Sequence, residues 1–215
     1  MQKITAIKVQ RKNKERVNIY LDGEFAFGLT RIVAGWLQVG QMLDEKKIEA
    51  LKADDEREQA YIRALNYLSY RPRSIKEVEQ NLRKYKVPET LIPETIARLK
   101  KSNFVNDESF AKQWIENRNT FRPRGKRALK LELRQKGIDN EDIQDILDEL
   151  VDEESLAYKA GLKKARHLAN LEWQDFRRKL GAFLARRGFP YSVISPLIEP
   201  LWEAVRPEDE TDLYN

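Results

Sequence analysis

Residues 121–138 read FRPRGKRALKLELRQKGI, and residues 70–87 read YRPRSIKEVEQNLRKYKV. The two stretches open on nearly the same phrase 51 positions apart, and the apolar residues behind it keep register: Val78 with Leu129, Leu82 with Leu133, Val87 with Ile138. A third copy follows at the same shift with Leu180, Leu184 and Phe189. Further along, Ile92, Ile143 and Ile194 align, then Ile96, Leu147 and Ile198, then Leu99, Leu150 and Leu201. One amphipathic helix can be laid over another by choosing a phase. Here two helices and the turn between them share one gapless offset in three copies, which marks a tandem repeat.

Each copy reads as three helices. In the first, AYIRALNYL is helix a, Ser74 to Lys84 is helix b, and helix c follows Val87. Ser74 and Glu77 have the spacing of a capping box. With Thr90 as N-cap, Pro93 falls in the first turn of helix c, where backbone N–H groups have no helical acceptor to lose. In the second copy SFAKQWIENR is helix a, helix b starts after Gly125, and Asp139 caps helix c. The third copy has about five extra residues before helix b, and Pro196 and Pro200 are expected to shorten or distort its last helix. The RPR phrases are the a-to-b connections. Proline forbids a continuous helix there, and Tyr70 and Phe121 are expected to tuck into the core of their units.

Upstream, the texture changes. In VNIYL, Val17, Ile19 and Leu21 alternate as a half-buried strand does, and Asp22-Gly23 supplies a tight hairpin turn before EFAFGL. A β-hairpin or three-stranded meander follows, then one or two helical turns in TRIVAGWL and a short helix capped by Asp44. The fold class is therefore mainly α: three tandem three-helix units preceded by a small β-rich extension. The expected divisions are 1–54 for the extension, 55–105, 106–151 and 152–205 for the units, and 206–215 for an acidic tail.

Composition sets limits on chemistry. Hydrophobic residues make up 41% and charged residues 35%, a charge-rich globular profile with thin cores. With no cysteine, disulfides, thiolate metal sites and cysteine nucleophiles are excluded. No segment has the apolar run of a membrane span or a signal peptide, so the cytoplasm is the expected compartment. His167 is the single histidine and is expected to pack or face water. RPRGKRA lacks the first glycine of a phosphate-binding loop and has arginine where its hydroxyl residue belongs. The acids of DNEDIQDILDEL have amphipathic-helix spacing, which leaves little room for a two-metal nuclease. The expectation is no enzyme and no cofactor.

The net charge of +5 is modest, so its placement matters more than its size. From Arg122 to Lys136 there are seven bases and one acid, Glu132. On helix b of that unit Leu129 and Leu133 lie on the buried stripe, while Lys126, Lys130 and Arg134 share another face. Such a face suits a phosphate backbone or an acidic protein groove. It is equally a solvated face, with the acids of DNEDIQD near enough to answer some of the bases. The candidate contacts are Arg71 and Arg73 in the first unit, Arg122, Arg124, Lys126, Arg127, Lys130 and Arg134 in the second, and Arg177 and Arg178 in the third.

The order of these elements resembles the RecX regulatory family. Its motif has an acidic pair, Phe-Ala, a later arginine, a glycine and a leucine-x-x-lysine-glycine close, found here at Asp107, Glu108, Phe110, Ala111, Arg118, Gly125, Leu133, Lys136, Gly137 and Ile138. YLSYRPRSIKEVEQNLRKYKV resembles the first repeat of the family, without the glycine, and GEFAFGL with VGQMLDEKKIEAL is similar to the extension many members carry. The resemblance covers nearly the whole chain except the tail RPEDETDLYN, and is weakest in the third repeat. It implies a regulator of RecA, the recombinase that polymerises on single-stranded DNA. Family members are pictured as elongated, curved bodies lying in the groove of the RecA filament and restraining its growth, ATP hydrolysis and strand exchange. The partners implied are the RecA filament and, weakly and without sequence preference, single-stranded DNA. No membrane is involved, and a monomer is the default. Two other classes fit the residues: an independent DNA-binding protein of tandem helix-turn-helix-like units, and a protein-only adaptor whose basic faces meet acidic partners.

Overall fold

The computed structural model describes residues 1–138 and 140–206. Two compact units emerge, Met1–Val105 and the remainder from Asn106. In the first, β1 (Gln2–Val9), β2 (Arg16–Leu21), β3 (Glu24–Thr30) and β4 (Met42–Leu43) form a sheet in the order β3-β2-β1-β4, antiparallel throughout. The meander is as expected; the short fourth strand is an addition. Asp22 and Gly23 both have positive φ, 49° and 94°, the geometry of the tight turn that the dipeptide encodes. Val17, Ile19 and Leu21 turn inward with Ile4, Leu29 and Leu43. Between β3 and β4, TRIVAGWL gives one helical turn, α1 (Arg31–Ala34).

The short helix expected after Asp44 is instead the start of a 24-residue helix, α2 (Glu45–Leu68), which continues as helix a of the first repeat. Asp44 does cap it, accepting from Lys47 N. The division placed at 54/55 therefore falls inside a helix. Nothing in ALKADDEREQAYI breaks helical geometry, and charged residues hide the continuity by covering the faces of the helix that look to water. Two buried acids fix it on both sides. Asp55, 4% exposed, accepts from Thr30 N at 2.6 Å, Gln59 Nε2 at 2.7 Å and Arg16 Nη2 at 3.0 Å, tying α2 to the sheet. Glu58 accepts from Arg98 at 2.6 Å, tying α2 to α4 (Leu91–Lys101). The connecting helix b is α3 (Ile75–Lys84), whose Ser74–Glu77 capping box is complete. Thr90 holds the N-cap position of α4 and Pro93 its first turn, as the spacing implies.

The second unit comprises α5 (Asp107–Phe121), α6 (Lys126–Gln135), α7 (Asn140–Leu150), α8 (Glu153–Ala165), α9 (Trp173–Arg186) and α10 (Tyr191–Glu203). The second and third repeats share one apolar core. Asp139, expected to cap α7, lies outside the described residues, as does the acidic tail beyond Arg206. The repeat columns meet in these cores. All but Val87 and Leu150 of the aligned apolar residues are buried, and those two are half-buried against the same clusters.

Two expectations need correcting. Tyr70 and Phe121 do not enter the core; they are 82% and 74% exposed. Phe121 is the last residue of α5 and Tyr70 lies two residues past the end of α2, each beyond the last fully buried residue of its helix, Ile115 and Ala64. The fifth residue of the phrase turns inward instead, with Ser74 and Gly125 buried. Nor do the prolines shorten α10, which runs unbroken over 13 residues. Pro196 and Pro200 sit on its exposed side, where the carbonyls they leave without donors face water, while Ile194, Ile198 and Leu201 hold the helix to the core.

Gly125 is where the two repeats of this unit touch. Its N–H donates to Arg187 O at 3.0 Å, and a Cβ on it would fall inside the van der Waals envelope of the Gly188 carbonyl. Gly188, at φ +88°, is equally constrained against Ala128. Leu133→Ala is expected to cost about 2–5 kcal/mol in urea unfolding, since it empties a fully buried position. Gly125→Ser, which copies the residue of the first repeat, is expected to cost about 1–3 kcal/mol by overpacking, and parental stability in that variant would show that the two junctions are interchangeable.

Candidate functional site

The arginines of the two RPR phrases have different fates. Arg71 pairs with Glu77 at 3.0 Å and Arg73 lies over the Tyr67 ring, 4.2 Å from its centroid. In the second phrase Arg124 pairs with Glu132 at 3.0 Å. Glu132, the one acid of the basic stretch, also accepts from Trp114 Nε1 at 2.7 Å and Arg118 Nε at 2.8 Å. It thereby pins the connection and α5 onto α6, and its 15% side-chain exposure fits a tether. Along α6, Lys126 pairs with Asp148 at 2.6 Å and Lys130 donates to Gln144 at 3.1 Å, while Arg134 also has a partner. Asp148 and Gln144 of α7 thus answer two of these bases. The Lys126 hydrogen bond, with a smaller one from Gln144, holds the Asp148 carboxyl below its ordinary pKa.

Three other predicted residues lie on a groove between α9 and α10 or beside it. Arg127 and Arg177 line the groove, whereas Arg178 pairs with Asp175 at 2.8 Å. Hydrogen bonds from Ser195 and then Arg177 lower the pKa of the Tyr191 hydroxyl at this groove.

Arg122 goes elsewhere. It lines a groove of about 460 Å³ in the second unit, between the FRPRG connection and helices α8 and α9. Lys159, Lys163 and Lys164 come from α8 and Arg187 from the end of α9. Among the described lining residues there is no carboxylate. Neither Arg122 nor Lys163 has a carboxylate partner among the described residues. Arg187 is held in place, donating Nη1 to Pro123 O at 3.0 Å and lying over Phe183 at 4.6 Å. Partial burial, and then the nearby charges of Arg124 and Arg122, lower its pKa. The charges of Arg122 and Arg124 beside it add to a positive surface that an incoming anion would relieve. Phe121 and His167 stand at the same groove, both exposed.

The structure thus gathers one predicted residue, Arg122, with four bases that the sequence reading passed over. The signal for three of them was present in KAGLKKARHL, where lysines at 159, 163 and 164 fall on one side of a helix. Arg187 had no such signal, because its place depends on a contact 64 residues away in the chain. Among the described residues no group of three or more His, Asp or Glu is placed to hold a metal, and no helix is long and apolar enough to cross a membrane.

Family models match along most of the chain: the regulatory protein RecX N-terminal domain over residues 2–44, and the first, second and third RecX three-helix domains over 60–99, 106–147 and 152–198. Regulatory protein RecX of Bacillus pumilus is 33% identical over 213 residues, covering 97% of this chain and 81% of its own. That of Bacillus subtilis is 34% identical over 202 residues, covering 92% and 76%. A crystal structure of regulatory protein RecX superposes with a TM-score of 0.75 at 32% identity, over 93% of this chain and all of that one. The structure of RecX from Lactobacillus salivarius gives 0.61 at 32% identity, over 69% and 97%. With the β-rich module, the three helical repeats in order and these relatives, the chain belongs to the RecX family of regulatory proteins.

Proposed function

We propose that this chain is a non-enzymatic regulator that binds the filament RecA forms on single-stranded DNA and restrains its growth, ATP hydrolysis and strand exchange. It acts as a monomer in the cytoplasm. The observation that carries the reading is the acid-free groove of the second unit, supported by the family name. Five bases converging without a carboxylate among the described lining residues meet a polyanion well, and the phosphate backbone within a RecA filament is the polyanion at hand. Repetition adds to this. A chain of similar modules facing a periodic filament can hold several contacts at once, so that each weak contact raises the effective concentration of the next. The tethered arginines, Arg71 and Arg124, then shape the connections, while Arg122 and Arg127 are offered outward and Arg177 stands exposed beside the Tyr191 hydroxyl.

The decisive experiment measures single-strand-dependent ATP hydrolysis by RecA with the chain added up to equimolar. Turnover is expected to fall, and unchanged turnover across that range would remove the proposal. Arg122→Glu with Lys163→Glu should relieve the inhibition at unchanged thermal stability, since neither residue has a carboxylate partner among the described residues. Arg124→Glu, by contrast, sets a carboxylate against Glu132 and should show its defect first as a lowered melting temperature.

Direct binding to single-stranded DNA should weaken with salt, with a log–log slope of about 0.7 per neutralised phosphate. The Arg122→Glu, Lys163→Glu variant should flatten that slope. Tight binding to one duplex sequence, sufficient for activity without RecA, would instead favour an independent DNA reader.

A further inference from the structure

The first unit has a cavity of different chemistry from the basic groove. It encloses about 340 Å³ beside α2, α3 and the start of β2, and three tyrosines line it: Tyr67, Tyr70 and Tyr85. Their faces are not equivalent. Tyr67 carries Arg73 at 4.2 Å and Tyr85 carries Arg63 at 4.3 Å, so these two rings are already stacked by guanidinium groups. Among the described residues Tyr70 has no ring or cation partner on either face, and it is 82% exposed. Asn66 and Asn81 line the same cavity, and among the described residues their side-chain amides make no hydrogen bond.

An open aromatic face, two amides with free donors and acceptors, and a guanidinium at the rim form a set with a specific complement. A flat heterocycle with donors and acceptors on its edge would stack on Tyr70, present that edge to Asn66 and Asn81, and leave an attached phosphate for Arg63. The exposure of Tyr70 also gains a meaning here, since the ring that fails to enter the core faces this cavity.

We infer that this cavity of the first unit takes an unstacked base of single-stranded nucleic acid, with Tyr70 as its stacking platform. A base paired within a duplex has no free face to offer, so the site discriminates single strands from double strands. It deepens the single-stranded DNA part of the function proposed above, yet it rests on residues of the first unit alone. Its energetics differ as well. The groove of the second unit is electrostatic and salt-sensitive, whereas stacking depends little on salt.

The test uses the full chain and an oligothymidylate about twelve nucleotides long carrying 5-iododeoxyuridine, a length within the usual range of single-strand sites. On irradiation, adducts are expected on Tyr70, and adducts confined to the second unit would overturn the inference. Tyr70→Ala should weaken binding by about five- to a hundredfold with the salt slope unchanged, and Tyr70→Phe, which keeps the ring, should bind as the parent does. Parental affinity in Tyr70→Ala removes the inference while leaving the basic groove and RecA inhibition standing. If Tyr70→Ala instead weakens association with DNA-free RecA and not with the oligonucleotide, the cavity is a protein-binding site and the inference is wrong. A flattened slope in Arg122→Glu, Lys163→Glu alongside an unchanged Tyr70 adduct shows the two sites acting separately.

Discussion

Everything distinctive about the second unit depends on two backbones meeting where neither can carry a side chain. The N–H of Gly125 reaches the carbonyl of Arg187, and Gly188 fits against the first turn of α6. Any Cβ at either glycine would push the repeats apart. Because they are held together, their apolar faces close into one core rather than two small ones, an advantage for units of this size, whose separate cores would be marginal. The same approach brings Arg187 beside Arg122 and places three lysines of α8 opposite the FRPRG connection. Without that contact the bases would be scattered along two repeats. The groove is thus a product of packing, and its charge density follows from the steric rule that admits only glycine.

Acids that reach other elements do the complementary work. Asp55, Glu58 and Glu132 each accept from residues on other elements, and each is largely buried. Buried carboxylates are costly unless their oxygens are satisfied, and here hydrogen bonds from backbone, indole or guanidinium groups meet that need. Such ties contribute direction more than net stability. They decide which arginines remain free. Glu77 and Glu132 each take one arginine from an RPR phrase, the first of the pair in one repeat and the second in the other.

This also explains what could be read from the chain before its structure. The six repeat columns, the capping box at Ser74, the cap at Asp44 and the Asp22-Gly23 turn are local or periodic, and local physics suffices to place them. The exposure of Tyr70 and Phe121 was not legible, because both stand at helix ends, where the packing around the junction and not the helical period decides which way a side chain faces. Continuity of α2 was masked by its dense charge, which resembles a linker until Asp55 and Glu58 are seen to have partners on β2, β3 and α4. On α6 the basic face was evident, yet the pairing of Lys126 with Asp148 and of Lys130 with Gln144 required the two helices to be set side by side. Lys159, Lys163 and Lys164 share a side of α8 that the sequence shows, but Arg187 and Arg122 join them only through contacts between repeats, which no one-dimensional pattern encodes.

Helix α2 acts as a phase gauge. Asp55 looks toward the sheet and Glu58, three residues on, toward α4, so the angle between the β-rich module and the first repeat is written into a rotation of about 300° along one rigid axis. Inserting a single residue between these acids would turn one attachment by about 100° relative to the other and separate it from its partner. Seven added residues would nearly restore the rotation, with an error of about 20°, but would carry the two attachments about 10 Å apart along the axis. In this chain the number of residues between the two attachments is therefore as much a part of the design as Asp55 and Glu58 themselves.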